Sequence, residues 1–126
     1  MTRKRIINRV AYWQNRLGLL NWDIFIKFEK VSFKKHEEWG DGVAKVDTNS
    51  EYKFATIRFD TLQTKAVDDA IIIHELLHCL ISPLMGMILA NFKSEDKKRE
   101  WADYFHEQIV SELERIIIRI NRRKND

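Results

Sequence analysis

The chain has 126 residues, 44% of them apolar, which is enough for one hydrophobic core and too little for two. Twenty-two Lys and Arg against 19 Asp and Glu leave a net charge of +3, and the excess sits mainly at the two ends, in Arg3, Lys4 and Arg5 and in Arg119, Arg122, Arg123 and Lys124. A single cysteine, Cys79, excludes an internal disulfide, so a reducing cytoplasm is the simplest setting.

Residues 3 to 18 place Ile6, Ile7, Val10, Trp13 and Leu17 at helical spacing, with Gly18 as a C-terminal cap. The basic start lacks an uninterrupted apolar stretch, so no signal peptide is expected. From Trp22 to Glu29 the pattern alternates: Trp22, Ile24, Ile26 and Phe28 share one side, as in a half-buried strand. Lys34 to Gly42 is polar and ends in Trp39-Gly40-Asp41-Gly42, which reads as a loop whose His36 and Trp39 can line a cleft. Val43 to Asp47 and Phe54 to Asp60 read as two further strands, the second alternating Ala55, Ile57 and Phe59 with Thr56 and Arg58. A helix is expected from about Thr64–Val67 to Ser82, because Pro83 disfavours helical geometry in the residue before it. Asp68 and Asp69 then fall in its first turn, where carboxylates favour the helix dipole. Leu84 to Phe92 reads as apolar packing beneath this helix. The longest apolar run, Leu84 to Ala90, is too short for a membrane span. Ser94 is the expected cap of a closing helix that runs to about Arg122.

The chemistry lies in His74-Glu75-Leu76-Leu77-His78. Residues four apart on a helix lie nearly one above the other, so two imidazoles at that spacing can share one tetrahedral ion. Glu75, about 100° around the same turn, can reach a water on that ion without ligating it, which is the place of a general base. Zinc is the ion expected: imidazoles suit it, it needs no redox chemistry, and it lowers the pKa of water towards about 7. Ala70 to Ile73, Leu76, Leu77, Leu80 and Ile81 surround the three polar residues with aliphatic side chains, where an unpartnered polar group costs about 1–3 kcal/mol. Cys79 turns away by about 100° from His78 and reads as buried and apolar.

With this motif, the aliphatic Ile71-Ile72-Ile73 before it and the His106-Glu107-Gln108-Ile109-Val110 segment in the closing helix, the chain resembles the zincin metallopeptidases, in particular the small single-domain kind of phages and bacteria. The resemblance implies zinc-assisted attack of water on a peptide carbonyl, with the substrate strand laid against a sheet edge. It also implies a third ligand at Glu107, just ahead of a Val- and Ile-rich stretch; no third His follows His78 as in metzincins. Helical periodicity points elsewhere. With Ile109 at the centre, Ala102, Phe105, Leu113, Ile116 and Ile120 form the apolar face, His106 lies at its edge and Glu107 points away. His106, Glu100 and Asp103 therefore stay open as ligands.

The expectation is thus an α+β fold in a single domain, residues 1–126: a helix, a sheet of about three strands, the metal helix and a long closing helix. The expected activity is peptide-bond hydrolysis, with zinc on His74, His78 and Glu107 and with Glu75 as base. A catalytically idle metal-binding or interaction module is the alternative. The expected partner is a peptide or protein, with no membrane. The basic ends can touch phosphate but are equally ordinary solvated termini, so nucleic acid is the lesser expectation. Tyr52, Tyr104, His36 and His106 are candidates to stabilise an oxyanion.

Overall fold

The computed structural model describes residues 1–30, 42–91 and 97–125. His36, Trp39, Ser94 and the rest of the expected loop and cap at those gaps lie outside the described residues.

Helix α1, Arg3–Arg16, opens where Thr2 accepts a hydrogen bond from the Arg5 amide and buries Ile6, Val10 and Trp13. It stops at Gly18, whose φ of +72° lets the Gly18 and Leu19 amides fold back onto the carbonyls of Asn15 and Gln14. Three strands follow, β1 (Asp23–Glu29), β2 (Ala44–Asn49) and β3 (Phe54–Asp60), in the spatial order β1-β3-β2. β3 is central, parallel to β1 and antiparallel to β2. Its alternation decides which face is covered: Ala55, Ile57 and Phe59 are fully buried against the helices. On the other face Arg58 bridges Asp47 of β2 at 3.1 Å and Glu29 of β1 at 3.7 Å. Among the described residues β2 is a sheet edge beside the next helix.

A 3-10 helix, Thr61–Ala66, leads into α2, Asp69–Leu89. Asp68 caps α2 by accepting from the Ile71 amide at 3.0 Å, and Asp69 holds Arg9 of α1 through two bonds of 2.6 and 2.9 Å. The expected end at Ser82 is wrong: α2 continues through Pro83 to Leu89. Proline removes the amide that would have bonded the Cys79 carbonyl, yet that carbonyl accepts the Ser82 hydroxyl at 3.2 Å, so the turn survives. The segment after Pro83 is therefore helix, with Met85 buried and Ile88 and Leu89 packed against the core. By length and composition α2 matches a membrane span, contrary to the reading of the apolar runs. Here its apolar residues serve the core: Ile72, Ile73, Leu76 and Leu77 are at most 1% exposed, a burial worth about 1.5–3 kcal/mol each.

Helix α3, Lys97–Asn125, packs along α2. Its orientation differs from the expected one. Val110 is fully buried and Ile117 and Ile118 pack on the core, whereas Phe105, Ile109, Ile116 and Ile120 are 47–58% exposed. The helix turns inward a face that carries Glu107, Val110 and Glu114, so the most apolar stripe is not the buried one. The architecture is α+β, with a three-stranded sheet between terminal helices that share one core.

Candidate metal centre

α2 supplies His74, Glu75 and His78 on one turn, and α3 crosses it with Glu107. The two carboxylate oxygens of Glu107 each face one imidazole, Oε2 at 3.4 Å from His74 Nε2 and Oε1 at 3.4 Å from His78 Nε2. Taking one donor atom from each of the three residues, all lie within 4.8 Å of one another. Donors around a tetrahedral ion with bonds of about 2.1 Å stand roughly 3.4 Å apart, so two imidazoles and a carboxylate in this arrangement suit a divalent metal. The Glu107 side chain is 58% exposed and free to adjust, while those of His74 and His78 are 24% and 14% exposed.

Each imidazole is held from behind. In the tautomer that leaves Nε2 free for an ion, His74 Nδ1–H donates to Glu114 Oε2 at 2.9 Å and His78 Nδ1–H to His106 Nε2 at 3.0 Å. His106 thus touches His78 at the nitrogen opposite Glu107. Glu114 was not weighed in the sequence, although it stands seven residues, two helical turns, beyond Glu107 and on the same face. Glu100 and Asp103 are exposed and outside the donor group, and Cys79 is fully buried, its thiol pushed up to about 12 by burial and then by the charge of Glu75.

Glu75 is 9% exposed. Burial foremost, then the neighbouring charges of Glu107 and Glu114, pushes its carboxyl up to about 8, opposed by a hydrogen bond from the Val46 amide on β2. Burial pushes His78 down to about 4; Glu107 opposes this shift, and His106 and His74 add to it. Both shifts favour the neutral forms. A metal ion among the donors reverses that preference for Glu75, since a nearby cation favours the carboxylate.

The donors open into a cleft of about 510 Å³ lined on one side by Gly42, Ala44, Lys45, Val46 and Thr48, and on the other by His74, Glu75, His78, His106 and Glu107. One wall is therefore the edge strand β2. Tyr52 and Tyr104 are 72% and 61% exposed and line no part of this cleft; His106 does. Comparison with family models, with curated proteins and with solved structures finds no match to this chain.

Proposed function

We propose that the chain is a zinc-dependent peptidase with a zincin-like fold, His74, His78 and Glu107 holding the ion and Glu75 serving as general base. The observation that carries this reading is the convergence of a buried carboxyl, two imidazoles and a third donor on one cleft walled by β2, an edge strand among the described residues. When bound, zinc supplies Lewis acidity, polarising a carbonyl and bringing the pKa of water towards about 7. Glu75 takes the proton of the attacking water and returns it to the leaving amine. Glu114 and His106 keep the rings turned so that Nε2 faces the ion.

The substrate class follows from β2. An edge strand offers unpaired main-chain groups to an extended peptide, giving affinity that depends little on side chains. Val46 of β2 and Glu75 line the same cleft, so a chain bound along β2 comes close to the base. The test is Glu75→Gln assayed on an unfolded protein mixture with stoichiometric zinc. Hydrolysis should fall by at least a thousandfold while zinc stays bound at one ion per chain. Undiminished hydrolysis in this variant sinks the assignment of the base, and an inert wild-type protein that still binds zinc leaves the idle metal-binding module as the better account.

A further inference from the structure

The outward face of α3 takes no part in the metal centre or the core. Trp101, Phe105, Ile109, Leu113, Ile116 and Ile120 succeed one another at steps of three or four residues, each 36–64% exposed. They uncover on the order of 600 Å² of apolar side chain, as much as the largest patches that monomeric proteins leave bare.

Charge on this helix is sorted by side. By the roughly 100° step per residue, Lys97, Arg119, Arg123 and Lys124 fall on or beside the apolar stripe, whereas Glu100, Asp103, Glu107 and Glu114 fall on the side of the metal centre. The one acid on the outward side, Glu112, is bonded to Arg115 at 2.7 Å. Cations also mark both ends of the stripe, Lys97 before it and Arg119, Arg122, Arg123 and Lys124 at its close. α1 adds to the second end, for Arg16 and Lys124 line one cleft. Residues 1–22 and 115–125 together hold ten Lys or Arg and no Asp or Glu, against a balance of −7 in the rest of the chain; two of the ten are already paired, Arg9 with Asp69 and Arg115 with Glu112.

We propose that this face docks on an anionic lipid bilayer, with α3 lying in the interfacial plane, its apolar stripe among the headgroups and its cations on lipid phosphates. Such a contact needs no membrane-spanning run. Charge favours it over the other occupants of an apolar helix face. In-register pairing with a second copy sets cations on cations at the ends of the stripe, parallel or antiparallel, while nucleic acid neutralises the cations and leaves six large apolar side chains without a partner.

Vesicles of phosphatidylcholine, alone or mixed with phosphatidylserine, test the proposal by flotation with the full chain. Partitioning should be strong only with phosphatidylserine and should weaken with salt, and tryptophan emission should shift to the blue in wild type but not in Trp101→Phe. Replacing both Arg119 and Arg123 by Gln should lower partitioning roughly 25-fold, about fivefold per cation. Phe105→Ser combined with Ile109→Ser should lower it at least tenfold. These positions are exposed, so unchanged thermal melting of both variants separates lost docking from lost folding. Absence of binding, equal binding to both vesicle types, or binding that survives both double variants overturns the proposal. So does a lipid-free dimer dissolved by the Phe105/Ile109 change, or preference for duplex DNA over vesicles, which would assign the face to a second copy or to nucleic acid.

Discussion

The metal centre is built from two unequal halves. α2 contributes a buried half, in which Glu75 and His78 flank the fully buried Leu76 and Leu77 and ionise against their environment. α3 contributes an open half, in which Glu107 is more than half exposed and Glu114 and His106 act through the imidazoles they hold. The difference divides the labour. The buried half fixes the position of its groups and carries their electrostatic cost; the open half is the part that can adjust to a metal ion. Changes in the buried half should therefore appear in the stability of the metal-free protein, and changes in the open half in metal affinity.

The largest effect is expected from Glu75. Its carboxyl is raised from 4.5 to about 8, so the folded chain keeps a proton that the unfolded chain has lost. That group's contribution is complete below pH 4.5 and disappears as the pH rises to about 8. His78, lowered from 6.5 to about 4, works in the opposite sense and loses its contribution as the pH falls through that range. The two offset each other between about pH 4.5 and 6.5, which leaves a net loss of stability between about 6.5 and 8. Glu75→Gln should flatten this loss and stabilise metal-free protein above pH 8 by up to about 5 kcal/mol, the full shift at 1.36 kcal/mol per unit. Urea melts with chelator present would measure it, and equal slopes for wild type and variant between pH 6.5 and 8 would remove Glu75 from the buried half.

Second comes Glu107→Ala, which removes one donor from a set whose structural zinc counterparts bind with about 10–16 kcal/mol in total. Loss of one donor in three or four should cost on the order of 3 kcal/mol, a hundredfold or more in zinc affinity. Because the side chain is mostly solvated, the metal-free melting temperature should hardly move. A variant that unfolds, or that binds zinc as well as wild type, would contradict the division between the halves.

The two halves also differed in legibility. The α2 half could be read directly, since spacing, apolar surroundings and the identities of His74, Glu75 and His78 all agree. α3 misled, because its buried face is interrupted by Glu107 and Glu114 while its apolar stripe faces outward; hydrophobic periodicity finds the face a helix hides only when nothing polar is needed there. Glu107 was reached through the resemblance to zincins, against the wheel. Pro83 misled in a similar way, as its lost hydrogen bond is replaced by the Ser82 hydroxyl, a compensation that propensity does not register. The strands were the plainest part, because Ala55, Ile57 and Phe59 alternate strictly and nothing functional disturbs them.

The third effect tests the carboxylate behind His74. Glu114→Gln keeps the size and the acceptor oxygen but removes the charge that makes the imidazole a better donor, and partners of metal-ligating histidines are typically worth 10–100-fold in affinity. Zinc competition against a chromogenic chelator should give a loss within that range. Glu114→Ala should cost more, because the ring also loses its orientation. If Glu114→Gln binds zinc as well as wild type, the charge has no influence and the bond at 2.9 Å only orients the ring.

The smallest effect is expected at His106, where a neutral ring stands behind His78 in place of a carboxylate. A neutral acceptor polarises the imidazole less than a charged one, so His106→Gln, with an amide oxygen that can accept from His78 Nδ1, should reduce zinc affinity by less than tenfold. His106→Leu leaves that buried N–H without a partner and should cost about 1–3 kcal/mol in stability, or move the His78 ring. His106 also lines the cleft, so its second role can be read separately: a drop in hydrolysis beyond the drop in affinity, measured at saturating zinc, would mean that it touches the substrate. Were His106→Gln instead to lose as much zinc as Glu107→Ala, His106 would have to be a ligand, and the open half would contain two donors and not one.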